Sequence, residues 1–168
     1  APSLALSARR ASLPSGVDVV VHLRAIDAYN NLVTHQKCTF FLEAELAPYL
    51  DEALTNASAT GREPAQKYML QLSEGEAVQR VPTRLAGELS LKLVQPSVLS
   101  LELGAAMKLT VAAAPAVSID VVNIPEEGKA GLEFHLIVRA LDQFGNVDES
   151  FDRVVTLDSD GAPPGMVL

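Results

Sequence analysis

Arg24-Ala-Ile-Asp-Ala-Tyr-Asn-Asn-Leu-Val33 and Arg139-Ala-Leu-Asp-Gln-Phe-Gly-Asn-Val-Asp148 are two versions of one decapeptide, set 115 residues apart. Each closes an apolar run with an acid, an aromatic ring, a residue suited to positive φ and an asparagine, the chemistry that stops a strand and turns the chain. Asp27, Tyr29, Asn30 and Asn31 therefore form one predicted structural turn, and Asp142, Phe144, Gly145 and Asn146 the other. Gly145 stands where the first copy has Asn30. Glycine and asparagine are the two residues that most readily take the left-handed conformation.

The correspondence spreads outward from this corner without a gap. Leu4 and Leu6 align with Ile119 and Val121; Val17, Val19, Val21 and Leu23 with Leu132, Phe134, Leu136 and Val138; Phe40 and Leu42 with Val155 and Leu157. Identities at Gly16/Gly131, Arg24/Arg139, Ala25/Ala140, Asp27/Asp142, Asn31/Asn146 and Leu42/Leu157 concentrate near the strand-to-turn corner. A matched inward face is what a duplicated fold requires.

Between the copies, alternation of apolar and polar residues marks strands. They fall at 2–8, at 17–25 and at 37–44, where Cys38, Phe40 and Leu42 point inward and Phe41, out of step, is expected to cover a sheet edge. Further strands are predicted at 67–72, 77–82, 87–94 and 107–111. Leu46, Leu50 and Leu54 have helical spacing, and 46–65 reads as a loop and helix insertion. Seven short strands separated by turn signals describe an antiparallel sandwich of immunoglobulin type. The fold class is thus all-β, with tandem immunoglobulin-like antiparallel β-sandwiches: a complete one at 1–113 and, at 114–168, the first three strands of a second. A second unit as long as the first would extend well past Leu168, so the inward faces of 132–140 and 154–157 need strands from elsewhere. Neighbouring repeats, or other chains adding strands, are the expected partners.

Composition narrows the function. A net charge of −8 and a pI near 4.8 argue against nucleic acid, which selects clustered Lys and Arg. No apolar run reaches the roughly 18 residues of a membrane span, so no direct membrane insertion is expected. A single cysteine, Cys38, forbids an intrachain disulfide and a Cys-based zinc site.

Gly131, Phe134, Val138, Ala140, Asp142, Phe144, Gly145, Asn146 and Ser159-Asp160 together resemble the tandem immunoglobulin-like repeats of bacterial and algal surface proteins, the invasin and adhesin type. Filamin-type repeats are similar over the same corner, and Leu85-Ala-Gly-Glu-Leu-Ser-Leu91 fits either family. The paired glycines that filamin repeats usually carry next are replaced by Asp148-Glu149-Ser150 and by Thr34-His35-Gln36. The resemblance implies a spacer, adhesive or crosslinking role without enzymatic chemistry. An extracellular or cell-surface setting is favoured over a cytoskeletal or ciliary one.

Candidate sites are few. Asp142, Asp148, Asp158 and Asp160 are an acidic set that would suit calcium if they converged, but a turn aspartate accepting hydrogen bonds from its own loop is the preferred reading. No cofactor is expected. His22, His35 and His135 have no nucleophile or metal-ligand spacing around them, and no catalytic residue is assigned. Tyr49, Leu50, Asp51 and Glu52 are the expected interaction loop, because sandwiches place recognition on inserted loops. Asn56-Ala57-Ser58 is a glycosylation sequon, meaningful in a secreted eukaryotic protein. The chain reads as a non-enzymatic structural or adhesive segment of a larger repeat protein. A filamin-like scaffold and an accessory domain of an enzyme are the alternatives.

Overall fold

The structure, a computed structural model, describes residues 3–35, 38–48, 65–94, 102–103, 106–125 and 131–157. These form strands β1 (Ser3–Ala8), β2 (Ser12–Pro14), β3 (Val19–Ile26), β4 (Thr39–Pro48), β5 (Gln66–Gln71), β6 (Glu76–Val81), β7 (Gly87–Val94), β8 (Glu102–Leu103), β9 (Met107–Ala112), β10 (Ser118–Val122) and β11 (Ile137–Leu141). The protein is all-β, with no helix among the described residues.

One sheet has the order β6-β3-β1-β8, and a second has β2-β9-β7-β4-β5. Their inward faces close on a single core, a β-sandwich. Alternation dictates which side chains enter it. Val19, Val21, Leu23 and Ala25 bury from β3, facing Phe40, Leu42, Ala44 and Leu46 of β4 and Leu89, Leu91 and Leu93 of β7. Burying each large aliphatic side chain contributes about 1.5–3 kcal/mol, so these three strands carry most of the driving force.

The polar bend at Arg9–Ala11 carries the leading strand from one sheet to the other. β1 pairs with β3 and β8, whereas β2 pairs in parallel with β9 and buries Leu13. Both β2 and β8 fall outside the segments that alternation marks as strands.

Four other expectations need correction. Leu46, Ala47 and Pro48 continue β4 rather than opening a helix: Leu46 keeps the two-residue alternation begun at Phe40, is buried, and pairs with Leu89. Proline is tolerated there because it ends the strand, opposite Gly87. Residues 49–64, including Tyr49, Leu50, Asp51 and Glu52 and the sequon, lie outside the described residues. Phe41 covers no edge, since β4 is flanked by β5 and β7; its ring lies on the outer face under the Lys67 ammonium, 4.7 Å from the centroid. Val17 precedes β3 and is exposed, because its backbone is committed to the turn through its carbonyl bond from Thr83 Oγ1.

The remaining correction concerns the C-terminal part. β10 and β11 make a separate two-stranded antiparallel ribbon, and β11 begins at Ile137 rather than at 132. Residues 151–157 are irregular, so no third strand forms among the described residues there. Leu132, Phe134, Leu136, Val138, Val155 and Leu157 are exposed. Within the described residues nothing faces them, so the apolar contacts that would hold an extended conformation are missing.

Candidate functional site

At the first corner the strand stops because Asp27 captures the chain beyond it. Its Oδ1 accepts the amides of Tyr29 (2.8 Å) and Asn31 (2.9 Å), and its Oδ2 accepts Asn31 Nδ2 at 3.1 Å. Asp27 N–H donates to the Asn31 carbonyl and Asn30 N–H to the Asp27 carbonyl, with Asn30 at φ 65°. Val33 N–H then returns to the Ala25 carbonyl. This is an Asx-type turn sealed by a second side chain.

The second corner repeats every one of these bonds. Asp142 Oδ1 accepts Phe144 N–H (2.8 Å) and Asn146 N–H (2.9 Å), Oδ2 accepts Asn146 Nδ2 (2.8 Å), and Asp148 N–H reaches the Ala140 carbonyl. Gly145 takes the left-handed place of Asn30, at φ 84°. The strand register agrees as well: β1 pairs with β3 through Leu4↔Ala25 and Leu6↔Leu23, and β10 with β11 through Ile119↔Ala140 and Val121↔Val138.

The two corners differ in what they touch. Tyr29 is 86% exposed, whereas Asp142 is only 3% exposed because it is seated on the end of the sandwich. Ser15 Oγ donates to Asp142 Oδ2 at 2.5 Å, and Ala114 N–H lies 3.0 Å from both oxygens. Phe144 packs against Gly16, which has φ 82°; a Cβ there would sit 2.6 Å from its Cε2 and 3.0 Å from its Cζ. Asn146 makes a second polar contact, taking Ala86 N–H on its Oδ1 and donating from Nδ2 to the Arg84 carbonyl, each at 2.8 Å. Asp148 adds Ala116 N–H at 2.9 Å.

The receiving surface is itself fixed. Ser15 N–H donates to the Ala112 carbonyl and Gly16 N–H to the Thr83 carbonyl, while Thr83 Oγ1 donates to the Val17 carbonyl. The loops at 15–17, 83–86 and 112–114 thus present a pre-formed cluster of donors and one bare glycine. A buried carboxylate needs such donors, since an unpaired charge away from water is costly.

Burial pushes the Asp142 carboxyl upward, but the bonds from Asn146, Ser15 and Phe144 outweigh it and bring the pKa down from 3.8 to about 2. At Asp27 the backbone and side-chain bonds from Asn31 hold the carboxyl below its ordinary value. The Ser150 hydroxyl, with the Ala116 amide, does the same for Asp148, against burial and the repulsion of Asp142.

The eight predicted turn residues therefore lie at two corners, and the structure joins the second to Ser15, Gly16, Arg84, Ala86 and Ala114. No local pattern in the sequence connects Ser15 to Asp142, since the two are 127 residues apart. Of the acidic set, Asp142 and Asp148 are turned toward N–H and O–H donors; Asp158 and Asp160 lie outside the described residues. Among the described residues no three His, Cys, Asp or Glu side chains gather as a metal site, and no helix is long and apolar enough to cross a membrane.

No protein-family model matches the chain, and no curated protein matches it. Among solved structures, it is similar to domains 5–6 of the S-layer protein SbsC at 14% identity and a TM-score of 0.35, over 88% of this chain and 67% of that one. A likeness that slight bears on neither fold nor function.

Proposed function

We propose that the chain is a non-enzymatic structural segment of a tandem-repeat protein, a spacer and protein-interaction module whose units are locked end to end. The observation that supports this is the Asp142 carboxylate, buried between the sandwich and the following ribbon and accepting hydrogen bonds from both. A directional, charge-assisted contact fixes orientation more than it adds adhesion. Fixed orientation is the property a spacer needs. In this reading 1–113 is one immunoglobulin-like unit and 114–168 the start of the next, whose exposed apolar face is covered by strands from outside these residues, of the neighbouring unit or of another chain.

The surface-protein reading is preferred to the filamin-like one because the paired glycines of the latter are missing after both corners. Two measurements test the proposal. Residual dipolar couplings from β1–β9 and from β10–β11 are expected to fit one alignment tensor; two tensors would overturn the rigid joint. An antibody to this chain is expected to stain intact cells of the source organism, and staining only after permeabilisation would move the protein to the filamin-like setting.

A further inference from the structure

We infer that the first corner, Asp27–Asn31, is half of another joint: a docking surface for the end of a sandwich that precedes it in the same polypeptide and presents a Ser-Gly turn and an Arg-x-Ala loop, as Ser15-Gly16 and Arg84–Ala86 do here. This rests on the joint reading proposed above and extends it to a surface whose partner lies outside the chain.

The two corners are chemically the same object in two states of occupancy. All three carboxylate bonds made inside the second turn recur at Asp27, with donors at matching positions. What the first corner lacks, among the described residues, is everything the sandwich end supplies to the second: the serine hydroxyl, the Ala114 amide, the glycine under the ring and the loop that clasps Asn146. Tyr29 and Asn31, the counterparts of Phe144 and Asn146, stand exposed instead.

The direction of approach is set as well. The occupant of the second corner enters through the segment just ahead of β10, and β10 leads to Asp142 over the same number of residues as β1 leads to Asp27. With β1–β3 and β10–β11 in the same register, a segment feeding β1 brings its own sandwich end to the first corner from the equivalent side. A second copy of this chain is a poor occupant, because its sandwich end is already covered by its own Phe144 and Asn146. Tyr29 carries a hydroxyl on the ring carbon that in Phe144 is one of the two nearest Gly16, so the ring is the shared contact and the occupant of the first corner must leave room for the phenol oxygen.

The test uses the full chain with a copy of residues 1–115 placed ahead of Ala1, which preserves the spacing of the corners, and with the original chain segmentally labelled. Amide hydrogen exchange at 28–31 is expected to slow at least tenfold relative to the unextended chain. Gly16→Ala in the added copy is expected to restore the faster rates, Tyr29→Ala likewise, and Tyr29→Phe to leave them slow. Unchanged exchange at 28–31 with 142–146 protected in both chains would overturn this inference alone. Free exchange at 142–146 in both would remove the joint itself, and this inference with it.

Discussion

Asp142→Asn is the sharpest perturbation of the joint. The wild-type carboxyl titrates at about 2 instead of 3.8. A gap of that size corresponds to about 2 kcal/mol of stability at neutral pH, by linkage at about 1.4 kcal/mol per pKa unit. The amide removes the charge, and it also sets an NH2 group against donors. If its oxygen keeps the Phe144 and Asn146 amides, its nitrogen meets Ala114 N–H and Asn146 Nδ2, neither of which can accept. The total cost is then about 2–4 kcal/mol, a fall in Tm on the order of 5–15 °C for a chain of this size. The sign of the pH dependence follows from the lowered pKa. The stabilisation is complete above the unfolded value near 4 and is lost as pH falls toward 2, so wild type and variant converge in acid. Thermal unfolding at pH 7 and at pH 2.5 measures both quantities, with Asp27→Asn as the reference for an exposed turn. A cost at pH 7 no larger than that of Asp27→Asn, or one that persists unchanged at pH 2.5, would refute the reasoning.

Other substitutions separate the contact from the turn. Gly16 and Gly131 have nearly the same φ, 82° and 83°, but a Cβ at Gly131 meets nothing within 4 Å. Gly131→Ala is therefore expected to cost only the left-handed backbone penalty of about 1–2 kcal/mol, and Gly16→Ala measurably more in the same denaturant titration. Asn146→Ala removes both clasping bonds to Arg84 and Ala86 and is expected to cost about 1–3 kcal/mol in urea unfolding, more than Asn31→Ala. Phe40→Ala empties a fully buried site and is expected to cost about 3–5 kcal/mol, against well under half of that for Phe41→Ala on the outer face. Lys108→Ala breaks an exposed pair with Glu88, and its effect is expected to stay within about 1 kcal/mol and to fade in salt.

What the sequence could reveal depended on the range over which each signal acts. The alternation at Val19–Ala25, Phe40–Leu42 and Leu89–Leu93 is a local property, and it placed the inner face of the sandwich correctly. Asp27 and Asp142 were legible as turn residues because their acceptors bind donors two and four positions on. Helical spacing at Leu46–Leu54 misled at its start, since Leu46 satisfies both a helical and an extended pattern, and only pairing with Leu89 decides between them. Ser15 was hidden for a different reason. At the 115-residue offset it faces Ala130, so the internal comparison that singled out Gly16 and Gly131 passes over the residue that donates to Asp142.

The character of the joint follows from the same chemistry. Apolar burial is tolerant of direction, and a ring resting on a glycine would by itself allow the ribbon to slide or rock. The carboxylate does not, because its Oδ1 is committed to its own turn while Oδ2 must meet Ser15 and Ala114 at hydrogen-bond distance. Any rotation that keeps Phe144 on Gly16 but draws Oδ2 away takes from the buried carboxylate its bonds to Ser15 and Ala114, at about 1.5–3 kcal/mol each. Asn146 applies a second constraint from the end of the same turn, through Arg84 and Ala86. Two polar anchors and one ring, all carried by five consecutive residues, hold one orientation where apolar contact alone would allow many. Loss of Phe144 is therefore expected to weaken the joint without changing its angle, and loss of Asp142 to free the angle while the ring contact persists.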